Sequence, residues 1–143
     1  MTAAYLLSKY FGQIIKESND GVILNVSSDL GLIAPDQRLY SSYGDELQPV
    51  KPVTYSVIKS GLIGLTRYLS TYWMPHLRSI AICPGGIENN QNDEFISKVS
   101  QLIPLGRLAK VDEICDVIEF LISEKSKYMN GSIISVDGGR TSW

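Results

Sequence analysis

A tyrosine and a lysine stand four residues apart in the segment 55–59, YSVIK, and this spacing places both on one face of a helix. An ammonium group near a phenol favours the phenolate and lowers the pKa of the tyrosine from its usual value of about 10. Such a tyrosine can exchange a proton with a substrate hydroxyl or carbonyl near neutral pH. The pair alone also fits an amphipathic helix with an exposed lysine, so its meaning depends on the surrounding elements.

Hydrophobic periodicity predicts helices over 3–18, 53–73, 92–101 and 111–123, and strands over 22–26, 78–83 and 132–136. Strands that alternate with helices favour a parallel sheet covered by helices. A long polar segment, 27–52, follows the first strand and is typical of a lid or binding loop. The first two long helices each carry an apolar stripe, formed by Leu7, Tyr10, Phe11, Ile14 and Ile15 in one and by Val57, Ile58, Leu62, Leu65, Leu69 and Trp73 in the other.

Three segments are expected to meet at one edge of this sheet. Ser28 follows the first predicted strand, Pro84-Gly85 ends the second, and Tyr55 comes after the loop that Ser28 begins. Ligands of open parallel sheets bind beyond the C-terminal ends of the strands. A serine hydroxyl near Tyr55 could bond the same substrate oxygen and hold it in place.

Composition excludes several classes of protein. A chain of 143 residues corresponds to about one domain with a modest core, and its scattered charges, net −2, indicate neither a nucleic-acid partner nor a membrane surface. Its apolar runs fall short of the roughly 20 residues that span a bilayer. His76 stands without a cluster of metal ligands, so no metal site is expected. Cys83 and Cys115 are predicted to be buried thiols of a cytoplasmic protein.

The ordered set of motifs resembles the short-chain dehydrogenase/reductase family over nearly the whole chain outside the long loop. It comprises NVSSDLG (25–31), the Tyr55–Lys59 pair, CPGGI (83–87), PLGR (104–107) and VDGG (136–139). The resemblance implies an α/β fold, a partial Rossmann-like doubly wound parallel sheet with helices on both faces. The chain is then a single partial domain over 1–143, with an expanded loop at about 32–52.

The resemblance also implies an activity, reversible hydride transfer between an alcohol or carbonyl substrate and NAD or NADP. Ser28 would bind and polarise the substrate oxygen, while Ser27 beside it looks structural. Tyr55 would be the general acid/base. Lys59 would assist Tyr55 and bind the nicotinamide ribose. Ser28, Tyr55 and Lys59 are thus the expected catalytic residues, and Tyr55 and Lys59 also belong to the expected cofactor site.

The second loop would complete the nicotinamide side of that site. Pro84, Gly85 and Ile87 match the family's loop beside the nicotinamide ring, and the backbone N–H of Ile87 would donate to the carboxamide. Asn89 departs from the threonine that the family often has at this position. The glycines of Asp137-Gly138-Gly139 match a family hallmark whose role looks structural.

The chain departs from the family pattern at its start. No G-x-x-x-G-x-G or G-x-G-x-x-G motif opens it, so the pyrophosphate and adenine site is expected to be absent, together with roughly the first 110 residues of a typical member. The choice between NAD and NADP is therefore open.

The loop is the second departure, because Ser28 and Tyr55 lie 27 positions apart, more than the family usually has. Tyr40, Tyr43, Asp45 and Glu46 could contact a polar substrate or form a solvated flap. This expanded loop resembles that of members found with sialic-acid-like sugar and flagellin-glycosylation genes, which favours a sugar-like substrate.

Two hypotheses of function follow. The chain belongs to an NAD(P)-dependent oxidoreductase and is present as a fragment, or it is a truncated, non-catalytic remnant or interaction module unable to bind the cofactor alone. Family members often pair through helices corresponding to 3–18 and 53–73, so a homodimer or homotetramer is expected for the full-length enzyme. The expected partner is a small-molecule alcohol or carbonyl compound.

Overall fold

The computed structural model describes residues 1–18, 20–40 and 50–143, and within these ranges it contains a three-stranded parallel sheet. The strands are β1 (Gly21–Val26), β2 (Leu77–Pro84) and β3 (Ile133–Val136), in the spatial order β1-β2-β3. Val26 lies beside Ile82 in the first pair, and Pro84 lies beside Val136 in the second. The two loops expected to carry chemistry therefore leave neighbouring strands at the same edge. The predicted α/β, partial Rossmann-like class is confirmed.

Four α-helices occupy the described part of the chain: α1 (Thr2–Ile15), α2 (Val53–Tyr72), α3 (Asp93–Ser100) and α4 (Val111–Ile122). Each lies close to its predicted position. Short 3-10 helices cover Lys16–Ser18, Asp29–Gly31, Gln37–Tyr40 and Glu124–Ser126, so the described part of the predicted loop 27–52 contains two helical turns. Tyr43, Asp45 and Glu46, which could contact a polar substrate or form a solvated flap, lie outside the described residues.

The sheet divides the core in two because successive strand residues point to opposite faces. Ile23 of β1 packs with the α1 and α2 side, against the cluster that Leu69 of α2 helps to form. Its neighbours Val22 and Leu24 join Ile114 in the cluster on the α4 side. The helices therefore cover both faces, as the alternating order of elements predicts.

The apolar stripe of α2 meets the sheet only along its C-terminal part. Leu65, Leu69 and Trp73 are buried as predicted, whereas Val57 and Ile58, expected in the same stripe, are exposed. The first turns of α2 lie against the loop after β1, where Ser60 Oγ donates a hydrogen bond to the Gly31 carbonyl over 3.1 Å. Ile58 therefore sits beyond the part of the helix that the sheet covers.

Helix α1 packs through its small residues rather than through its apolar stripe. Ser8 and Gly12 are buried, while Leu7, Tyr10 and Phe11 of the stripe are exposed. A Cβ added to Gly12 would lie 2.6 Å from the Trp73 ring, so the missing side chain lets the helix approach α2 closely. The helix lies where the periodicity predicts it, but of its apolar stripe only Ile15 packs against the core, and the other four residues are exposed.

The prediction of two buried thiols is wrong for one of them. Cys83 at the end of β2 is buried, but Cys115 is exposed. Helix α4 turns Ile114, Val117 and Leu121 toward the sheet, and Cys115 lies off this stripe. Both thiols are free. In the described ranges no helix is long and apolar enough to cross a membrane, and no group of three potential ligands could hold a metal ion.

Candidate active site

The loop after β1 is tied to helix α2 by Ser27. The Ser27 N–H donates to the Ile82 carbonyl over 2.8 Å, and its Oγ donates to the Lys59 carbonyl over 2.7 Å. A Cβ on Gly31 would lie 2.8 Å from Ser27 Oγ and 3.0 Å from the Lys59 carbonyl carbon, so glycine permits this close approach. The position of Ser27 accords with its structural interpretation.

Ser28 is 5% exposed and begins the 3-10 helix Asp29–Gly31. Its Oγ donates to Asp29 Oδ1 over 2.7 Å and accepts from the Leu30 N–H over 3.2 Å. Asp29 Oδ1 also accepts from the Leu30 N–H, over 2.7 Å. The hydroxyl proton of Ser28 is therefore directed at a carboxylate, and Ser28 must rotate to donate to a carbonyl oxygen.

Tyr55 and Lys59 share one face of α2, as their spacing predicts. The Lys59 ammonium donates to the Val26 carbonyl over 3.0 Å and lies 5.6 Å from the centre of the Tyr55 ring. Val26 is the last residue of β1, two positions before Ser28. The strand end thus fixes the lysine beside the tyrosine.

A second lysine, Lys51, also lies close to the Tyr55 ring. Its ammonium is 4.1 Å from the centre of the Tyr55 ring and 5.7 Å from that of Tyr40. Its backbone N–H donates to Gln37 Oε1 over 2.9 Å. Two cations therefore lie within cation–π range of Tyr55.

Tyr40 lies near Tyr55, and the ammonium group of Lys51 approaches both rings. The Tyr40 ring packs against Phe95 of α3 with the ring centres 6.3 Å apart. Burial, followed by the negative charge of Asp29, raises the pKa of Tyr40 above its ordinary value. Its surroundings therefore favour the neutral form of the phenol.

The loop after β2 carries the other predicted residues. Pro84 pairs with Val136, and the Gly85 N–H donates to the Val136 carbonyl over 3.0 Å. A Cβ on Gly85 would lie 2.9 Å from the Asp137 Cα, so this position requires glycine. Ile87 forms an isolated parallel bridge with Ala109.

Of the two backbone hydrogen-bonding groups of Ile87, only the carbonyl has a partner among the described residues. Its carbonyl accepts from Gln91 Nε2 over 2.8 Å, while its N–H has no hydrogen-bond partner among the described residues. Asn89 donates its backbone N–H to Gln91 Oε1 and is exposed. The loop therefore offers the unpaired N–H of Ile87 as a backbone donor near the sheet edge.

The Asp137-Gly138-Gly139 turn packs against the loop after β2, where the Asp137 Cα lies next to Gly85. Gly138 and Gly139 have φ values of 63° and 88°, which favour glycine. The Asp137 carboxylate accepts from the Gly139 N–H and from both the N–H and the hydroxyl of Thr141. The Asp137 carboxylate is therefore occupied by bonds within its own turn, which accords with the structural role that the family resemblance implies.

The family model described as enoyl-(acyl carrier protein) reductase matches residues 1–141. An uncharacterised oxidoreductase of Thermotoga maritima is 35% identical over 96% of this chain and 53% of its own length. The 3-oxoacyl-[acyl-carrier-protein] reductase FabG of the same organism is 34% identical, over 88% of this chain and 47% of its own length. A crystal structure of a short chain dehydrogenase from Leptospira borgpetersenii with bound NAD+ is 34% identical and covers 99% of this chain with a TM-score of 0.87.

The chain belongs to the short-chain dehydrogenase/reductase family.

As a short-chain dehydrogenase/reductase, the chain spans about half the length of the curated relatives it matches. The structure brings Ser28, Tyr55 and Lys59 to the same edge of the sheet as the loop with Ile87. Sequence reasoning missed Asp29 and Lys51, although both are close in sequence to predicted residues. Asp29 directly follows Ser28, and Lys51 stands four positions before Tyr55, the same spacing at which Lys59 was found after it.

Proposed function

We propose that this chain is the catalytic portion of an NAD(P)-dependent oxidoreductase that acts on an alcohol or carbonyl compound, with Tyr55 as general acid/base. The observation that carries this proposal is the arrangement of Lys59. Its ammonium bonds the end of β1 and lies 5.6 Å from the Tyr55 ring centre, in a chain of the short-chain dehydrogenase/reductase family. A tyrosine beside a fixed cation is suited to proton exchange with a substrate oxygen.

The proton follows a short path in this proposal. In alcohol oxidation the Tyr55 oxygen takes the proton of the substrate hydroxyl, and in carbonyl reduction it returns a proton to the substrate oxygen. Ser28 Oγ, whose own proton goes to Asp29, is arranged to accept a hydrogen bond from a substrate hydroxyl. With a carbonyl substrate the Ser28 hydroxyl turns from Asp29 to donate instead.

The residues at this edge fit the nicotinamide end of a dinucleotide. Lys59 uses one of its three N–H donors on Val26, which leaves two for ribose hydroxyls. The unpaired Ile87 N–H can donate to a carboxamide oxygen, and Pro84 and Gly85 begin the loop that carries it. A bound nicotinamide supplies or accepts the hydride, while the protein orients and polarises the substrate. A Leptospira relative that covers 99% of this chain binds NAD+, which supports this assignment.

Cofactor titration tests the proposal against its alternative, a non-catalytic module. Because only the nicotinamide side of the site is expected in this chain, calorimetry with NADH and with NADPH should give weak but saturable binding of at least one of them. This binding should be weakened about tenfold in Lys59→Met, as the loss of one charge-assisted contact implies. Lys125→Met removes the same charge from an exposed site in the turn after α4 and serves as the matched control. No binding of either nucleotide would favour the non-catalytic module, which the half-length match to relatives also motivates.

The oligomeric state, the cellular compartment and the polarity of the substrate are each proposed from a single feature of the chain. Exposed aromatic residues on α1 and α2, among them Tyr10, Phe11 and Tyr68, support pairing of these helices in a homodimer or homotetramer. Two free cysteines suit the reducing cytoplasm. The polar composition of the segment 41–49 supports a small polar substrate such as a sugar derivative.

A further inference from the structure

Lys51 is held at the entrance of the candidate active site by its backbone and by its side chain. Its N–H bonds Gln37 Oε1, and the next residue, Pro52, is the N-cap of α2. Its ammonium lies 4.1 Å from the Tyr55 ring centre and is shared with Tyr40. The cation is therefore directed over the ring of the proposed acid/base.

Positive charge at this edge is incompletely balanced in the described part of the chain. Lys51 forms no ion pair there, and the N-terminus of α2 has neither a side-chain cap nor an acidic residue in its first turn. The uncapped end of a 20-residue helix adds partial positive charge to that of Lys59. Asp29 is the opposing carboxylate, and its Oδ1 already accepts from Ser28 and Leu30.

We propose that Lys51 binds a carboxylate of the substrate, so that the enzyme acts on small oxo acids or hydroxy acids. This inference rests on the proposed function, because it places the reacting oxygen at Tyr55 and the anion at Lys51. The two lie close enough for one small molecule to reach both. An anion at Lys51 would also orient the substrate with respect to Tyr55 and exclude neutral compounds of similar shape.

A matched pair of ligands tests the charge preference without turnover. Levulinate carries a ketone and a carboxylate, and its methyl ester keeps the ketone but lacks the charge. In ¹H–¹⁵N NMR titrations of the chain, levulinate should bind about fivefold more tightly than the ester, the ratio given by an exposed ion pair of about 1 kcal/mol. The resonances of Lys51 and Tyr55 should move with the bound fraction.

The variants identify the residue responsible for the preference. Lys51→Met should bring the levulinate-to-ester ratio close to unity, Lys51→Arg should retain it, and Lys125→Met should leave it unchanged. Amide dispersion reports whether each variant folds, and Lys51→Gln is a second neutral variant. Equal binding of acid and ester by the native chain, binding of neither, or a preference that survives in folded Lys51→Met or Lys51→Gln would overturn the proposal.

The same titration separates this inference from the proposed function. A carboxylate preference that depends on Lys51, in a chain that binds neither NADH nor NADPH, would support the anion site and refute the oxidoreductase. Cofactor binding with no difference between levulinate and its ester would support the oxidoreductase and refute the anion site.

Discussion

The ammonium group of Lys59 donates a hydrogen bond to the carbonyl of Val26, the last residue of β1, and stands 5.6 Å from the Tyr55 ring centre. This bond joins the C-terminal end of a strand to the helix that carries the proposed acid/base. Because Ser27, the residue after Val26, donates its hydroxyl to the Lys59 carbonyl, the side chain and the backbone of Lys59 are both fixed.

Replacement of Lys59 should impair chemistry more than folding. Lys59→Met removes the cation beside Tyr55 and should lower turnover about 100-fold, the low end of what positioned acid/base catalysis contributes. Thermal unfolding should change little, since the Ser27 bond to the backbone carbonyl remains. Steady-state rates and circular dichroism of the same preparation measure both, and turnover at the native rate would show that Lys59 has no catalytic part.

Asp29 is predicted to position Ser28. Asp29→Leu removes the acceptor of the Ser28 hydroxyl proton and should lower kcat/KM about tenfold, while Asp29→Asn keeps an acceptor oxygen and should restore much of the loss. The loss should fall on kcat more than on KM, because the hydroxyl acts at the reacting oxygen. Asp116→Asn, on the exposed side of α4, is the control. An equal loss in the Leu and Asn variants would argue against this role.

Two helical glycines should respond to alanine in opposite directions. At Gly12 the new Cβ would lie 2.6 Å from the Trp73 ring, and the overpacking should cost about 1–3 kcal/mol of unfolding free energy. At Gly64 no heavy atom lies within 4 Å, so alanine should stabilise α2 by about 0.5–1 kcal/mol. Urea unfolding measures both changes, and a stable Gly12→Ala variant would contradict the close packing of α1 on α2.

The start of α4 should give a pH-dependent contribution to stability. Hydrogen bonds from Arg107, and then from the Lys110 N–H, lower the pKa of Glu113 from 4.5 to about 2. A carboxylate with a lowered pKa in the folded state stabilises it above the unfolded pKa, and this contribution is lost as the pH falls from about 4.5 toward 2.

Glu113→Gln should therefore lower Tm at pH 7 and have a smaller effect at about pH 3, as measured by calorimetry. Arg107→Met should cause a similar loss at pH 7, and the double variant should add little to either. Equal effects of Glu113→Gln at the two pH values would contradict the assignment.

The positions of the site residues that depend on local spacing could be predicted from the sequence. Tyr55 and Lys59 are one helical turn apart, and Ser28 and Gly85 end strands whose apolar runs are clear. The roles of these residues remain predictions, but their meeting at one sheet edge follows from parallel topology.

Other features depend on the path of the chain and could not be read from spacing. Lys51 precedes α2, and only the folded loop places its ammonium over Tyr55. Periodicity located the apolar stripe of α1 but not the side that packs, which is set by Gly12 against Trp73. The exposure of Cys115 likewise depends on which face α4 turns to the sheet.

The role of Tyr55 as general acid/base can be tested by the rate of NAD(P)H oxidation with a ketone substrate, compared between the native protein and Tyr55→Phe. The phenylalanine ring keeps the packing and loses only the hydroxyl. We expect turnover by the native protein and a loss of at least about 100-fold in a folded Tyr55→Phe variant. Native-level turnover in Tyr55→Phe would contradict this role.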